Sequence, residues 1–171
     1  MIAEVRDAHA QDVPELQRVA SAAWRDTYSG LLASRTIESF IETAYATETI
    51  LRRIDRDTFL VAVADGIVRA FADAVPRERY VTLGAIYAEP DWRSRGFGSL
   101  LLDELRRRFP GLPIAADVLI GNRIGEVFYE RRWLRSARGA RGRAVRRDRS
   151  RTALVARYTT RRAFDRLGWR P

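Results

Sequence analysis

The chain of 171 residues contains no cysteine and no lysine, and its one histidine stands at position 9. All 31 basic residues are therefore arginine. Without lysine there is no Schiff-base or pyridoxal site and no phosphate loop of the G-x-x-x-x-G-K type. Without cysteine there is no thiol nucleophile, disulfide framework, zinc knuckle or iron–sulfur cluster. A Ser-His-Asp triad would have to be built around His9, next to the first strand, and a multi-histidine metal site cannot exist, so no metal is expected. No apolar run approaches the ~20 residues of a membrane span. The N-terminus, Met1-Ile2-Ala3-Glu4-Val5, lacks a basic stretch followed by an apolar one, so neither signal peptide nor membrane contact is expected, and the expected location is cytoplasmic. Chemistry run by carboxylates, tyrosines, backbone amides and bound cofactors remains open.

The composition, 46% hydrophobic and 31% charged, is that of a single globular domain able to bury a full core. The charge is unevenly spread. Residues 1–130 hold 16 Arg against 20 acidic residues, a balance of −4, while residues 131–171 hold 15 Arg against 2, a balance of +13, so the net +9 comes entirely from the C-terminal end. Such an end can be a nucleic-acid footprint or the solvated face of a hairpin in an arginine-biased protein.

Alternating apolar residues predict a short first strand at Ile2 to Val5. Asp12-Val13-Pro14-Glu15 reads as a helix start, with Asp12 as N-cap, Pro14 in the first turn and Glu15 at the capping-box position. Leu16, Val19, Ala20, Ala23 and Trp24 follow at helical spacing. A second helix is expected over residues 34–46 and a short third piece carries Ile50, Leu51 and Ile54. From Thr58 the period changes to strands. Phe59 to Val63 meets Asp65-Gly66, a strong hairpin signal, and the return strand runs to Val75. Residues 80–88 form another strand, too continuously apolar for a solvated edge. Residues 96–109 read as a helix, 113–120 as a buried strand, and Asn122 caps a helix reaching about Arg132. The basic end holds one clear strand at residues 153–156 and a weaker one near Trp133, separated by a loose stretch over 139–151. The order β-α-α-β-β-β-α-β-α-β-β predicts a mixed α/β sheet in one domain.

The most informative run is Arg93-Ser94-Arg95-Gly96-Phe97-Gly98. R-x-x-G-x-G alone is weak in so arginine-rich a chain, but its context, between a buried strand and an amphipathic helix, is that of a pyrophosphate cradle. A glycine turn there leaves several N–H groups pointing outward at the positive end of a helix dipole. Small residues at Gly96 and Gly98 would let phosphates approach the backbone. A dinucleotide fingerprint beginning at Gly96 would have Leu101 at its third glycine and Asp117 as its acidic residue; it also belongs at a domain's first strand, and here three strands come before.

The stretch Ile86-Tyr87-Ala88-Glu89-Pro90-Asp91-Trp92-Arg93-Ser94-Arg95-Gly96-Phe97-Gly98-Ser99-Leu100-Leu101 resembles motif A of the GCN5-related N-acetyltransferases, the GNAT family. Further on, Asn122-Arg123-Ile124-Gly125-Glu126-Val127-Phe128-Tyr129-Glu130-Arg131 resembles that family's motif B. Two linked motifs on the expected elements, in the expected order, are far more specific than either alone. The resemblance implies a mixed, mainly antiparallel central sheet of about six to seven strands flanked by about four helices. It sets residues 1–158 as the acetyltransferase domain and 159–171 as a basic C-terminal extension.

The resemblance also implies roles. Ile86, Tyr87 and Ala88 match the splayed fourth strand that pairs with the pantetheine arm of acetyl-coenzyme A, where an N–H would polarise the thioester carbonyl. Ser94, Arg95, Gly96, Phe97, Gly98 and Ser99 match the pyrophosphate turn, with Arg93 flanking it, and Asn122 matches a cofactor-contacting position. Tyr129 matches the general acid that protonates the departing thiolate. A phenol of pKa about 10 can donate to a thiolate whose conjugate acid lies near about 8.5. Asp117 stands where some members carry a glutamate base, with relay through water as the alternative. Without cysteine, direct attack in a ternary complex is favoured over an acyl-cysteine route. Where the family has a glycine and then an aromatic, Trp133 and Leu134 stand; either Trp133 replaces the glycine or one residue is deleted.

The expected function is transfer of an acetyl group from acetyl-CoA to a primary amine of a small molecule. The run Trp24-Arg25-Asp26-Thr27-Tyr28 with Tyr45 faintly resembles bacterial polyamine acetyltransferases. Two other readings stand beside it: a degenerate member that senses acyl-CoA without turnover, and a nucleic-acid or ribosome-binding module using the arginine end. Nucleic acid is disfavoured, because most of that charge lies outside both motifs; a homodimer is left open.

Overall fold

The computed structural model describes residues 3–132, 134–136, 145–146, 152–153 and 155–160, with side chains described between Glu4 and Arg132. Strand β1 (Ala3–Asp7) leads through a 3-10 turn to three helices, α1 (Val13–Tyr28), α2 (Ser34–Ala44) and α3 (Thr47–Arg56). Strands β2 (Thr58–Ala64), β3 (Ile67–Pro76) and β4 (Val81–Ala88) follow, then α4 (Phe97–Arg108), β5 (Ile114–Leu119) and α5 (Arg123–Arg131). The basic end supplies β6 (Leu134–Ser136), the short pair β7 (Val145–Arg146) and β8 (Thr152–Ala153), and β9 (Val155–Thr160). The main sheet has seven strands in the order β1-β2-β3-β4-β5-β9-β6, and only the β4–β5 pair is parallel. Five α-helices flank it among the described residues, one more than the about four expected, because the short third piece is a full helix. Strand β9 continues to Thr160, two residues past the expected domain boundary. Trp133, most of the 139–151 stretch and residues 161–171 lie outside the described residues.

Local chemistry accounts for most of these elements. Asp65 and Gly66 both take positive φ, 53° and 75°, the geometry a two-residue hairpin needs to match strand twist. Alternation along β3 divides the core in two. Ala70, Ala72 and Ala74 face α4, whose Leu101, Leu102 and Leu105 are fully buried on them. Small side chains there let the helix lie close to the sheet. On the other face Phe71 packs with Phe59 and Val61 under Leu16, Val19 and Ala20 of α1 and Ile50 of α3.

The expected capping role of Asp12 is not what forms. Its carboxylate instead accepts the His9 amide at 2.8 Å and both Arg6 guanidinium nitrogens at 2.7 and 2.8 Å. Glu15 likewise leaves the helix start and accepts the Val68 amide at 2.5 Å. Both carboxylates tie α1 to neighbouring strands, where a charged partner or an unpaired edge amide outweighs a local cap.

One irregularity shapes the site. Along β3–β4, Ala74 faces Leu83 and Asp73 faces Ala85, so Gly84 has no partner and forms a bulge. Beyond it β4 parts from β5: their parallel pairing covers only Val81–Leu83 with Ile114–Ala116. A bulge bends and twists its strand, and here that bend opens a cleft in the middle of the sheet. Truncating the α4 core should cost stability without touching the cleft: Leu102→Ala is expected to lose about 2–5 kcal/mol in urea denaturation, the cost of a large-to-small change at a fully buried position.

Candidate active site

Past Gly84, the edge of β4 that faces β5 has no strand against it among the described residues, while its other edge stays paired to β3 as far as Ala88. Ile86, Tyr87 and Ala88 thus line one wall of the cleft, and an extended ligand could pair with their backbone. The opposite wall is β5, where Asp117 is exposed and in register with Arg157 of β9.

The chain leaves β4 through a 3-10 turn, Pro90–Trp92, into the glycine turn. Ser94 and Gly96 both have positive φ, 61° and 93°, and Gly96 is the N-cap of α4. Ser99 and Leu100 donate back to the Gly96 carbonyl at 2.9 and 3.0 Å. Among the described residues, the backbone N–H groups of residues 94–98 meet no acceptor, so five donors crowd the positive end of the helix. This fits a diphosphate without any lysine.

The turn is braced from several sides. Arg93, expected beside the phosphates, reaches back to Asp26 and to the Thr27 hydroxyl (3.1 Å) at the end of α1. Arg95 lies over one side of the cluster formed by Trp92, 4.7 Å from its ring centroid, and Arg69 lies 4.2 Å from the same ring. Arg69 also binds Glu89 at 2.9 Å, and Glu89 pairs with Arg18 of α1. Phe97 is buried, edge-on to Trp92. Gly98 also meets a packing constraint: a Cβ there would sit 2.7 Å from Phe128 Cε2, so the glycine lets α5 pack on α4. The Ser99 hydroxyl accepts from Arg132, a residue sequence reasoning passed over. Arg132 lies one turn after Phe128 and over its ring, a spacing that was available as a signal.

Asn122 caps α5 as expected, its Oδ1 accepting from the Gly125 amide at 3.0 Å. Its Nδ2 donates to the Tyr28 hydroxyl at 3.3 Å. The side chain therefore links the start of α5 to the end of α1. Tyr87 hydrogen-bonds to Tyr28, and Tyr129, 7% exposed, is close enough to feel both phenols. Burial, and then the neighbouring phenols, push Tyr87 and Tyr129 well above the usual phenol range. Tyr129 is thus held fully protonated at neutral pH. Next to them Trp24 stacks on Phe40 at 3.9 Å and lies 4.3 Å from Tyr28, while Phe71 touches Tyr45 and Tyr87. Burial lifts the Tyr45 hydroxyl to about 12.

Ile86, Tyr87 and Ala88 thus lie along the parted edge of β4, the glycine turn follows that strand, and Asn122 and Tyr129 are tied to Tyr87 around the Tyr28 phenol. A family profile described as the acetyltransferase (GNAT) family matches residues 16–132, most of the chain. The chain belongs to the GNAT family of acetyltransferases, which use acetyl-CoA. Over 113 residues this GNAT protein is 29% identical to a spermidine N(1)-acetyltransferase of Thermoplasma acidophilum, an alignment that spans 63% of the present chain and 70% of that protein. Its fold is similar to the crystal structure of the PaiA N-acetyltransferase of the same organism in complex with coenzyme A. That similarity has a TM-score of 0.76 at 24% identity and covers 92% of this chain and 98% of that one. It is similar also to the ribosomal-protein-S18-alanine N-acetyltransferase of Escherichia coli, with a TM-score of 0.67 at 16% identity and 93% coverage of each chain.

Gly96→Val tests the glycine turn. A β-branched residue at φ 93° is strained by about 1–3 kcal/mol and crowds the cradle. The variant is expected to stay folded by circular dichroism yet lose coenzyme A binding in calorimetry; normal binding would remove the turn from the site.

Proposed function

We propose that this GNAT protein transfers the acetyl group of acetyl-CoA to a primary amine of a small, polyamine-like molecule by direct attack in a ternary complex. The observation that carries the reading is the parted β4–β5 edge leading into a glycine turn whose five amides meet no acceptor among the described residues, with the buried, protonated Tyr129 close to Tyr87 of the same strand. The likeness to a spermidine acetyltransferase supports the choice of acceptor. So does the body of the domain, where acidic residues outnumber arginines across residues 1–130 and would draw in a cation.

The bound thioester supplies an activated acetyl group. In this reading the amides of residues 94–98 hold its diphosphate, with Ser99 and Arg95 at the rim and Arg93 fixing the turn from behind. The backbone of Ile86, Tyr87 and Ala88 pairs with the pantetheine arm, and an N–H there stabilises the oxyanion that develops as nitrogen attacks. Asn122 acts at one remove by holding Tyr28 and the start of α5. The ammonium must lose one proton before attack, since an alkylamine of pKa about 10.4 is almost wholly charged at neutral pH. As the C–S bond breaks, Tyr129 gives its proton to sulfur, and the second nitrogen proton restores the phenol through solvent. Asp117, on the far wall, is the residue that the sequence puts forward as base.

Thiol release on mixing the protein with acetyl-CoA and spermidine tests the reading. Turnover supports it; tight acetyl-CoA binding without turnover on any of a panel of primary amines would leave an acyl-CoA sensor instead. Tyr129→Phe is expected to lower kcat by about 10²- to 10⁴-fold while leaving coenzyme A affinity nearly unchanged. An unchanged kcat would remove Tyr129 from the acid role.

A further inference from the structure

The two walls of the cleft share few direct ties. Leu83 and Ala116 are the last residues that β4 and β5 pair, and beyond that rung no backbone hydrogen bond crosses between the walls among the described residues. Tyr87 lies four positions past the rung on β4, about 13 Å further along at the usual rise of a strand. Asn122 stands at the end of the other wall, where its amide donates to the Leu119 carbonyl at 3.0 Å and its Oδ1 caps α5.

The end of α1 spans the gap. Tyr28, the last residue of that helix, is buried, and its hydroxyl accepts from Asn122 Nδ2 at 3.3 Å on one side and is hydrogen-bonded to the Tyr87 hydroxyl on the other. Ile86 and Ala88 pack on the α4 face of the sheet, whereas Tyr87 between them turns to the face that α1 covers. The Tyr28 carbonyl accepts from the Leu31 and Leu32 amides, both at 2.9 Å, which pins the end of the helix. Leu31 is in turn seated against the turn that follows β5, where a Cβ on Gly121 would come within 3.0 Å of its Cδ2. Just before Tyr28, Asp26 and Thr27 hold Arg93 of the glycine turn. The end of α1 therefore touches both walls and the phosphate end. A buried phenol needs a hydrogen-bond partner wherever it sits; here its two partners stand on opposite sides of a gap that no backbone bond bridges.

We propose that Tyr28 is a positioning residue whose hydroxyl acts as a strut: it fixes the width of the cleft and the tilt of α5, and so the place of Tyr129 relative to the thioester. The inference rests on the acetyltransferase reading above and adds to it the group that aligns the acid. Tyr129 follows Asn122 by seven residues, about 10 Å along α5, so a small rotation at the N-cap is carried to its phenol. A misplacement of about 1 Å is enough to slow a reaction about 10²-fold. In the same reading the diphosphate is held by the amides of residues 94–98, braced through Arg93, and does not depend on the Tyr28 hydroxyl. Loss of the strut is therefore a loss of rate and not of cofactor affinity.

Tyr28→Phe removes the hydroxyl and keeps the ring. Asn122→Ser breaks the strut from the other side, because serine still caps a helix but does not reach Tyr28. If Asn122→Ser melts below the assay temperature, Tyr87→Phe, which breaks the strut at the β4 wall, takes its place. For each variant the single-turnover rate of acetyl transfer from acetyl-CoA to spermidine is expected to fall about 10- to 10²-fold, while the Kd for coenzyme A stays within about threefold. The double variant should be no slower than the slower single one, since either change alone removes the strut. A second measurement needs no turnover. In the cofactor-free protein, the Gly125 and Glu126 amides bond to Asn122, and in Tyr28→Phe their hydrogen exchange should quicken by about tenfold or more. That gain should exceed any at Leu101 and Leu105 of α4, which report a general loss of stability. An unchanged transfer rate, losses that multiply in the double variant, a matching loss of coenzyme A affinity, or exchange at residues 125 and 126 that gains no more than α4 would each overturn the proposal. A wild-type protein that acetylates no amine would sink the acetyltransferase reading instead, and the exchange measurement would still decide whether the strut exists.

Discussion

Everything in this molecule that bears on chemistry depends on one bulge. At Gly84 the β3–β4 register slips by a residue, and from that point β4 no longer runs beside β5. A continuous sheet would have satisfied the backbone groups of β4 internally and left no room for a ligand. The slip instead leaves a strand edge within the sheet, where an extended chain can add to it without disturbing the outer strands. The same slip changes which faces neighbouring residues address. Leu83 belongs to the core under α4, whereas Ala85 turns to the face covered by α1, α2 and α3.

The two faces then divide the work. Under α4 the alanines of β3 and the leucines of the helix give a dense apolar layer whose task is to fix the N-terminus of α4 at the end of the cleft. On the other face the packing is aromatic and polar. Tyr28, Tyr45, Tyr87 and Trp24 bury large rings while their polar atoms stay within reach of one another, of Asn122 and of Arg53. A layer of that kind tolerates a polar substrate that a leucine core would exclude. Arg53 and Asp73 fit this division: an ion pair between α3 and β3 adds little net stability once desolvation is counted, so its retention in a core points to orientation more than to strength.

The sequence was informative wherever the signal was local. Asp65-Gly66 set a hairpin, helical spacing placed Leu16, Val19, Ala20 and Ala23 inward, and Asn122 capped α5. The linked motifs placed the glycine turn and Tyr129 on the elements where they are found. What depended on distant partners was not legible. Asp12 and Glu15 have good capping credentials, but an arginine six residues back and an edge amide 53 residues on claim them. The packing constraint on Gly98 comes from Phe128, 30 positions away, and no spacing rule announces it. Asp73 was passed over because Phe71-Ala72-Asp73-Ala74-Val75 reads as a buried strand. The clue was present nonetheless, since a lone carboxylate within a fully buried run is rare and must be paired.

The absence of lysine has structural consequences as well. Arg53 grips Asp73 through two nitrogens while lying over the rings of Tyr45 and Phe59, and Arg69 combines an ion pair to Glu89 with stacking on Trp92. Arg93 spans Asp26 and Thr27 with two nitrogens of one guanidinium. Each of these contacts uses the planar fork and the flat face, and a single ammonium could reproduce neither. The phosphate turn, for its part, needs no cationic side chain, because its backbone amides and the helix dipole already supply positive charge. Nothing in the fold therefore requires a lysine. On the acetyltransferase reading, arginine throughout has a further effect: it provides the same charge without offering a side-chain primary amine that could itself take the acetyl group.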